Sequence, residues 1–294
     1  MTAADASLSA RFEAARPRLG ALAYRMLGSV DDAQDAVQEA WLRLSRTDQA
    51  IANLDAWLTT VVARICLNAL RDRHGRDREE PVGRLPDPIV DADGEFDPEH
   101  RAMLADAVGL ALFVVLDTLP PAERLAFVLH DVFAVPFDEI APIVERTPEA
   151  TRKLASRARR RIELADPSPD AGVAAQREAV DAFFAAGRAG DFDRLVSVLD
   201  PGVVLRGDFG GAAMGFRAEG AESVAKLARS YAGPERDARP ATVNGAAGAV
   251  VFVDGRPTAI MGFVVRRGRI AAIDVLADPD RIAKLDLSGL RDDH

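Results

Sequence analysis

The chain has 294 residues, enough for two or three domains of ordinary size. Its 48% hydrophobic and 28% charged residues exclude a disordered polymer, and its net charge of −9 excludes a uniformly basic nucleic-acid binder. Cys66 is the sole cysteine, which rules out an intramolecular disulfide or a multi-cysteine zinc site. The opening stretch MTAADASLSARFEAA lacks the basic-then-apolar pattern of a signal peptide. No apolar run approaches the roughly 20 residues of a membrane span. A soluble, cytoplasmic protein with no membrane partner is expected, without a metal or other cofactor.

Residues 8 to 73 read as nearly continuous helix, broken at Gly28-Ser29 and again around Asp48 to Asn53. Ser29 or Asp31 is a plausible cap for the helix at 31 to 44, DDAQDAVQEAWLRL. On that helix Ala33, Ala36, Val37, Ala40, Trp41 and Leu44 share one face by their three- and four-residue steps. Asp31, Asp35 and Glu39 step by four along the opposite face, a spacing of like charges that weakens a helix by about 0.2–0.5 kcal/mol per pair. A stripe carrying that cost suits a basic partner. Trp57 to Arg73 forms a third helix, with Ile65 and Leu67 flanking Cys66 and predicting a buried, inert thiol. From Gly75 to Pro98 four prolines and many charges mark a linker.

Helical periodicity returns at His100 and runs to about Ala165. Leu110 to Leu119 is one helix, Pro120-Pro121 opens the next, and Pro136 and Pro148 mark two more starts. FDEIAPIVERTPEATRKLASRARRR, residues 137 to 161, reads as two short helices around a tight turn, a helix-turn-helix. A polar break follows from Asp166 to Gly172. Beyond it come a helix at 173 to 187, a short one capped by Asp191, and a helix at 221 to 231. Strand-like runs lie at 203–206, 242–243, 250–253, 259–266 and 270–276. Asp254-Gly255 and Arg267-Gly268 supply hairpin turns between the last three. Helices followed by an antiparallel sheet predict an α+β unit.

Two segments are locally basic despite the acidic average. Thr147 to Glu163 carries six basic residues against Glu149 and Glu163. With Thr147 as N-cap and Pro148 as first residue, this helix can enter a major groove. Arg152, Lys153 and Ser156 are the candidates for reading bases, and Arg157 and Arg160 for holding phosphates. Arg64 to Arg78 holds five arginines against Asp72 and Asp77. Arg64, Asn68 and Arg71 share one helical face there, where Asn68 could bond a base edge while the arginines hold phosphates or stack.

Residues 8 to about 165 resemble an extracytoplasmic-function sigma factor of the sigma-70 family. The resemblance is carried by SVDDAQDAVQEAWLRL, LDAWLTTVVARICLNALRDR and LPPAERLAFVLHDVFAVPFDEIAPIVERTPEATRKLASRARRRI, in the family's order and separation. It implies two all-α domains: residues 1–78, binding core RNA polymerase and the −10 element, and 100–166, whose helix-turn-helix binds the −35 element of promoter DNA. A linker at 79–99 joins them. On this resemblance the acidic stripe faces the polymerase clamp. Arg64 and Asn68 lie near a pocket for a flipped −10 base, and Thr147 to Arg160 lie in the −35 groove. Residues 173–294 resemble a SnoaL-like (NTF2-like) cone, as in a subgroup of these factors whose linker motif pairs with a motif near the C-terminus. Leu85-Pro86-Asp87-Pro88 and Asp278-Pro279-Asp280-Arg281-Ile282 match those two positions. The tail's glycine-rich motif is less well kept, reading RGDFGGAAMG from Arg206.

SnoaL-like folds include isomerases, and Asp208 and Asp274 are the tail carboxylates next to strand residues that could act as a base. A regulatory, non-enzymatic tail is the better reading, because a domain contacting the linker would set the distance between two DNA-binding domains. The cone has room in principle for a small-molecule ligand, though no residue pattern names one. The alternatives are a one-component helix-turn-helix regulator, which would bind duplex DNA tightly alone, and an isomerase with a DNA-binding appendage.

Overall fold

A computed structural model describes residues 3–47, 51–76, 84–92, 104, 109–165, 172–210 and 215–290. The expected break at 166–172 lies almost wholly outside these residues, as do much of the linker, His100 and residues 211–214 of the glycine-rich segment. By contacts the chain forms two compact units. One takes in Met1–Glu80, Pro98–Asp106 and Val115–Asp166; the other takes in Pro81–Asp97, Ala107–Val114 and Pro167–His294.

The first unit is helical. Helices α1 (Ala3–Leu27), α2 (Val30–Ser45) and α3 (Leu54–Arg76) pack together around Phe12, Leu19, Leu22, Tyr24, Met26, Leu44, Leu58 and Val62, all at most 2% exposed. Gly28 ends α1 with a left-handed φ of 69°, and its N–H bonds the Tyr24 carbonyl at 2.8 Å. Ser29 is the N-cap of α2, accepting the Asp32 N–H. Arg73 then ties the corner, donating to the Leu27 carbonyl at 3.0 Å and to the Asp32 carboxylate at 2.5 Å.

Helix α4 (Gly109–Asp117) is apolar nearly throughout, as a core helix must be. Helix α5 (Pro121–Phe127) starts with proline at its first turn and runs into one π-helical turn, Val128–Val132. Helices α6 (Phe137–Val144) and α7 (Pro148–Ala165) follow, separated by Glu145 in a left-handed conformation. That residue makes the sharp turn of the helix-turn-helix. Arg124 on α5 is buried, donating to the Arg25 carbonyl at 3.0 Å and to Asp117 at 2.9 Å. It thereby caps the last turn of α1 from another helix.

The second unit is built on one sheet: β1 (Val90–Ala92), β2 (Leu199–Asp208), β3 (Phe216–Glu219), β4 (Arg236–Val243), β5 (Ala246–Val253), β6 (Arg256–Arg266) and β7 (Arg269–Leu276). Their order is β1-β4-β5-β6-β7-β2-β3, antiparallel except for β2 beside β7. Register shifts at Leu199/Val204, Val251/Phe252 and Val264/Val265 bend it, as bulges do. Helices α8 (Val173–Ala189), α9 (Phe192–Val198) and α10 (Ala221–Ser230) contribute Val180, Phe183, Leu195 and Val224 to a core with Phe263, Val265 and Ile273. A second core gathers Val90, Leu110, Val243, Phe252, Ile260, Leu276 and Ile282. This is the α+β architecture expected of the tail.

The strands are longer and more numerous than their apolar runs indicate. β4 extends back over Arg236–Arg239 because main-chain pairing with β5 continues whatever the side chains. β3 is an exposed edge with no apolar alternation. β1 lies inside the segment read as linker, pairing Val90, Asp91 and Ala92 with Val243, Thr242 and Ala241. Asp254-Gly255 and Arg267-Gly268 have φ of 50° and 72°, and 50° and 70°, the positive pair a tight hairpin turn requires.

Candidate functional sites

Helix α2 buries Ala33, Ala36, Val37, Ala40 and Leu44, while Trp41 is half-buried with its ring 4.9 Å from Phe12. Asp31 and Asp35 are exposed on the other side. Glu39 does not stand as a bare charge: its carboxylate pairs with Arg43 one turn on at 2.9 Å. Both partners are about half exposed, so the pair contributes only a few tenths of a kcal/mol and leaves the stripe acidic at its N-terminal end.

On α3, Arg64, Asn68 and Arg71 are exposed and share a face, opposite buried Leu58, Val62, Cys66 and Leu70. The Arg64 guanidinium reaches the Pro142 carbonyl of α6 at 3.5 Å. Burial pushes the Cys66 thiol up to about 12, which leaves it protonated and unreactive at physiological pH.

Helix α7 inserts Thr151, Ala155 and Ala158 into its own domain. Arg152, Lys153, Ser156, Arg157 and Arg160 are exposed. Thr147 is engaged as the cap, its hydroxyl oxygen accepting the Ala150 N–H at 3.2 Å. Several basic groups are fixed by neighbours within the fold. Arg157 and Arg161 meet the buried Glu123 carboxylate at 3.4 and 2.8 Å, and Arg159 meets Asp131 at 2.5 Å. Arg152 lies over the Phe137 ring at 5.4 Å, and that ring stacks on His130 at 3.8 Å. Lys153 pairs with Glu149 at the surface.

In the second unit residues 84–92 run extended, with Leu85, Pro86, Pro88 and Ile89 buried. Arg281, on the short helix α11 (Pro279–Ile282), is their anchor. Its guanidinium donates to Asp87 at 2.7 Å, to Asp208 at 2.5 Å and to the Leu85 carbonyl at 2.5 Å. Asp208 also accepts the Leu85 N–H at 2.8 Å. Asp278 caps α11, accepting from the Asp280 and Arg281 N–H groups at 3.0 and 3.3 Å. Ile282 is buried among Val90, Leu110 and Leu276, whereas Pro279 and Asp280 are exposed and only shape the turn.

Two residues of this contact were absent from the sequence reading of it. Asn244 is fully buried; its side-chain oxygen accepts the Ile89 N–H at 3.1 Å and its own N–H donates to the Ile89 carbonyl at 2.8 Å. Asn244-Gly245 has the composition of a tight hairpin turn, at φ of 50° and 79°, but such a signal points to no distant strand. Asp208, considered as a catalytic base, is tied to Arg281 and Leu85. Gly210 beside it has φ 73°, and a Cβ there would collide with the Asp278 carboxylate. Asp208 and Gly210 therefore give part of the glycine-rich segment a structural role.

Asp274, the other carboxylate considered as a base, is 1% exposed and receives the Arg206 guanidinium at 2.6 and 3.2 Å. Burial raises its pKa, with Arg206 opposing. A cavity of about 230 Å³ lies between α8 and the β4–β5 pair, lined by Arg177, Asp181, Phe184, Arg188 and Pro240. Among the described residues no group of carboxylate, histidine and cysteine side chains is placed to hold a metal ion, and no helix is long and apolar enough to cross a membrane.

Residues 11–76 match the Sigma-70 region 2 family and residues 110–162 the Sigma-70, region 4 family. The chain is 41% identical over 291 residues to the ECF RNA polymerase sigma factor SigJ of Mycobacterium tuberculosis, covering 92% of this chain and 91% of that relative. It is 34% identical over 283 residues to the probable ECF RNA polymerase sigma factor SigI of the same organism, covering 95% and 96%. The crystal structure of the M. tuberculosis extracytoplasmic function sigma factor SigJ superposes with a TM-score of 0.75 at 38% identity, covering 95% of this chain and 99% of that one.

Proposed function

The chain belongs to the extracytoplasmic-function sigma factors, and we propose that its tail governs transcription initiation by holding the linker between the two DNA-reading domains. The observation that carries this reading is the Arg281 anchor. One guanidinium on the tail bonds a linker side chain, a linker carbonyl and the Asp208 carboxylate that itself accepts a linker N–H. A linker fixed along residues 84–92 cannot be drawn out to separate the domains on either side of it.

In this reading Asp31, Asp35 and Glu39 face core RNA polymerase. Arg64, Asn68 and Arg71 meet the −10 element, and Arg152, Lys153, Ser156 and Arg160 meet the −35 element. Thr147 acts through the cap that fixes the start of α7, and Arg157 divides its charge between DNA phosphate and Glu123. Exposure of these side chains on the three helices α2, α3 and α7, with Glu39 half-exposed beside Arg43 and the opposite faces buried, supports the assignment. The tail acts here as a regulator and not as an enzyme, since Asp208 and Asp274 each have an arginine partner that accounts for them, Arg281 buried and Arg206 partly exposed.

Run-off transcription with core polymerase tests the reading. Full-length protein is compared with an Arg281→Ala chain and with one ending near Asp166. Promoter-specific transcripts whose yield changes when the anchor is removed are expected. Equal transcription by all three would discard the regulatory role, and failure to bind core polymerase would discard the docking face.

A further inference from the structure

The way the tail holds residues 84–92 is that of a receptor holding a peptide. The hydrogen bonds are largely to main chain. Asp208 takes the Leu85 N–H, Arg281 gives to the Leu85 carbonyl, and Asn244 brackets Ile89 through both its N–H and its carbonyl. Val90 to Ala92 then add a strand to the free edge of β4. Main-chain bonds of this kind supply affinity in strand addition, and pockets for alternate side chains supply selectivity.

The selective elements are also present. Leu85 and Ile89 are each 2% exposed, and Asp87 meets Arg281 between them. Pro86 and Pro88 fall between the residues whose N–H groups are used, where their lack of a donor costs nothing. Their fixed φ keeps the segment extended before it binds, which lowers the entropy lost on docking.

We propose that this groove, formed by β4, Asn244, Asp208 and Arg281, is an exchangeable receptor for extended segments of the pattern Leu-Pro-Asp-Pro-Ile-Val. Its occupant is the linker in cis, and it accepts the same sequence presented in trans by a second copy of this chain or by a peptide. The proposal rests on the reading of the tail as a holder of the linker. A tethered segment competes at an effective concentration of about millimolar, so a trans segment enters when the cis one is weakened.

The test uses full-length protein and a labelled nonapeptide, Arg84–Ala92 of this sequence, followed by fluorescence anisotropy. A Leu85→Ala, Asp87→Ala chain, with its own segment weakened, is expected to bind the peptide at least about tenfold more tightly than wild type does. Adding Arg281→Ala to that chain, or Asp87→Ala to the peptide, should abolish the gain. Peptide binding no better than wild type overturns the proposal, as does binding that ignores Arg281. Should the linker substitutions unfold the unit, wild-type protein titrated with unlabelled peptide to several times the roughly millimolar cis concentration decides instead. Amide exchange at Val90–Ala92 then accelerates if the segment is displaced, and unchanged exchange overturns the proposal. None of these measurements reads transcription, so their failure leaves the regulatory reading to stand or fall on run-off assays.

Discussion

The Arg281 guanidinium and the Asp208 carboxylate meet at 2.5 Å across 73 residues of sequence, and each also binds the main chain of Leu85. Both side chains are 10% exposed. Removing one member of such a pair leaves the other buried and uncompensated, at a cost of about 3–5 kcal/mol. Arg281→Ala should therefore speed amide exchange at Leu85 and Ile89 far more than at strands β5 and β6. Arg281→Lys keeps the charge but loses the planar fork that spreads donors over three separated acceptors, and should fall between. Hydrogen exchange resolved by residue checks both.

The helical half was the more legible because its signals are local. The alternation of Ala33, Ala36, Val37 and Ala40 with Asp31 and Asp35 is complete within about three helical turns, and the Ser29 and Thr147 caps act within three residues. The hairpin at Arg267-Gly268 was equally local. β1 was not legible, because three residues cannot display a period and their partner strand lies about 150 residues further on. The role of Asp208 was not legible for a related reason. A carboxylate beside a strand looks the same in sequence whether it faces a substrate pocket or a guanidinium brought in by another segment. The sequence motifs placed Arg281 near the linker, but the geometry supplied Asp208 and Asn244.

On the recognition helix the exposed arginines differ in what already holds them. Arg152 is oriented over Phe137, whereas Arg160 is exposed further along the same helix. If Arg152 reads a base, Arg152→Ala should cost about 1–3 kcal/mol on the cognate −35 element and flatten discrimination at one base pair. Arg160→Ala should weaken all sequences alike and lower the slope of log K against log salt by about 1. Binding titrations of wild-type and mutated promoter duplexes at several salt concentrations separate the two roles.

Cys66 reports on the packing around Arg124. Its thiol is buried and its pKa pushed up to about 12, so a thiol reagent at pH 8 should label native protein only as fast as the unit opens. Arg124→Ala removes the guanidinium that donates to the buried Arg25 carbonyl, at about 1–3 kcal/mol. Labelling of Cys66 should then rise by about tenfold or more, since 1.4 kcal/mol is a factor of ten in the opening equilibrium. An unchanged rate would mean that Arg124 does not hold α5 to α1. The rate of disulfide-exchange labelling, with unfolded protein as the upper limit, is the measurement.

Asp274 makes a pH-dependent contribution whose sign follows from its environment. Burial raises its folded pKa above the ordinary value of 3.8, and Arg206 only partly offsets that. The folded state therefore holds this proton to higher pH than the unfolded chain does. The associated stabilisation is complete below 3.8 and is lost as pH rises through the folded value. Asp274→Asn cannot titrate, yet has nearly the same shape. The melting temperature of wild type relative to Asp274→Asn should thus be most favourable below pH 3.8 and should fall as pH rises through the folded value, in the direction opposite to a carboxylate stabilised as an anion. Paired thermal melts across that range decide it. A difference that instead grows with pH would place the Arg206 ion pair above burial as the dominant influence on this carboxyl.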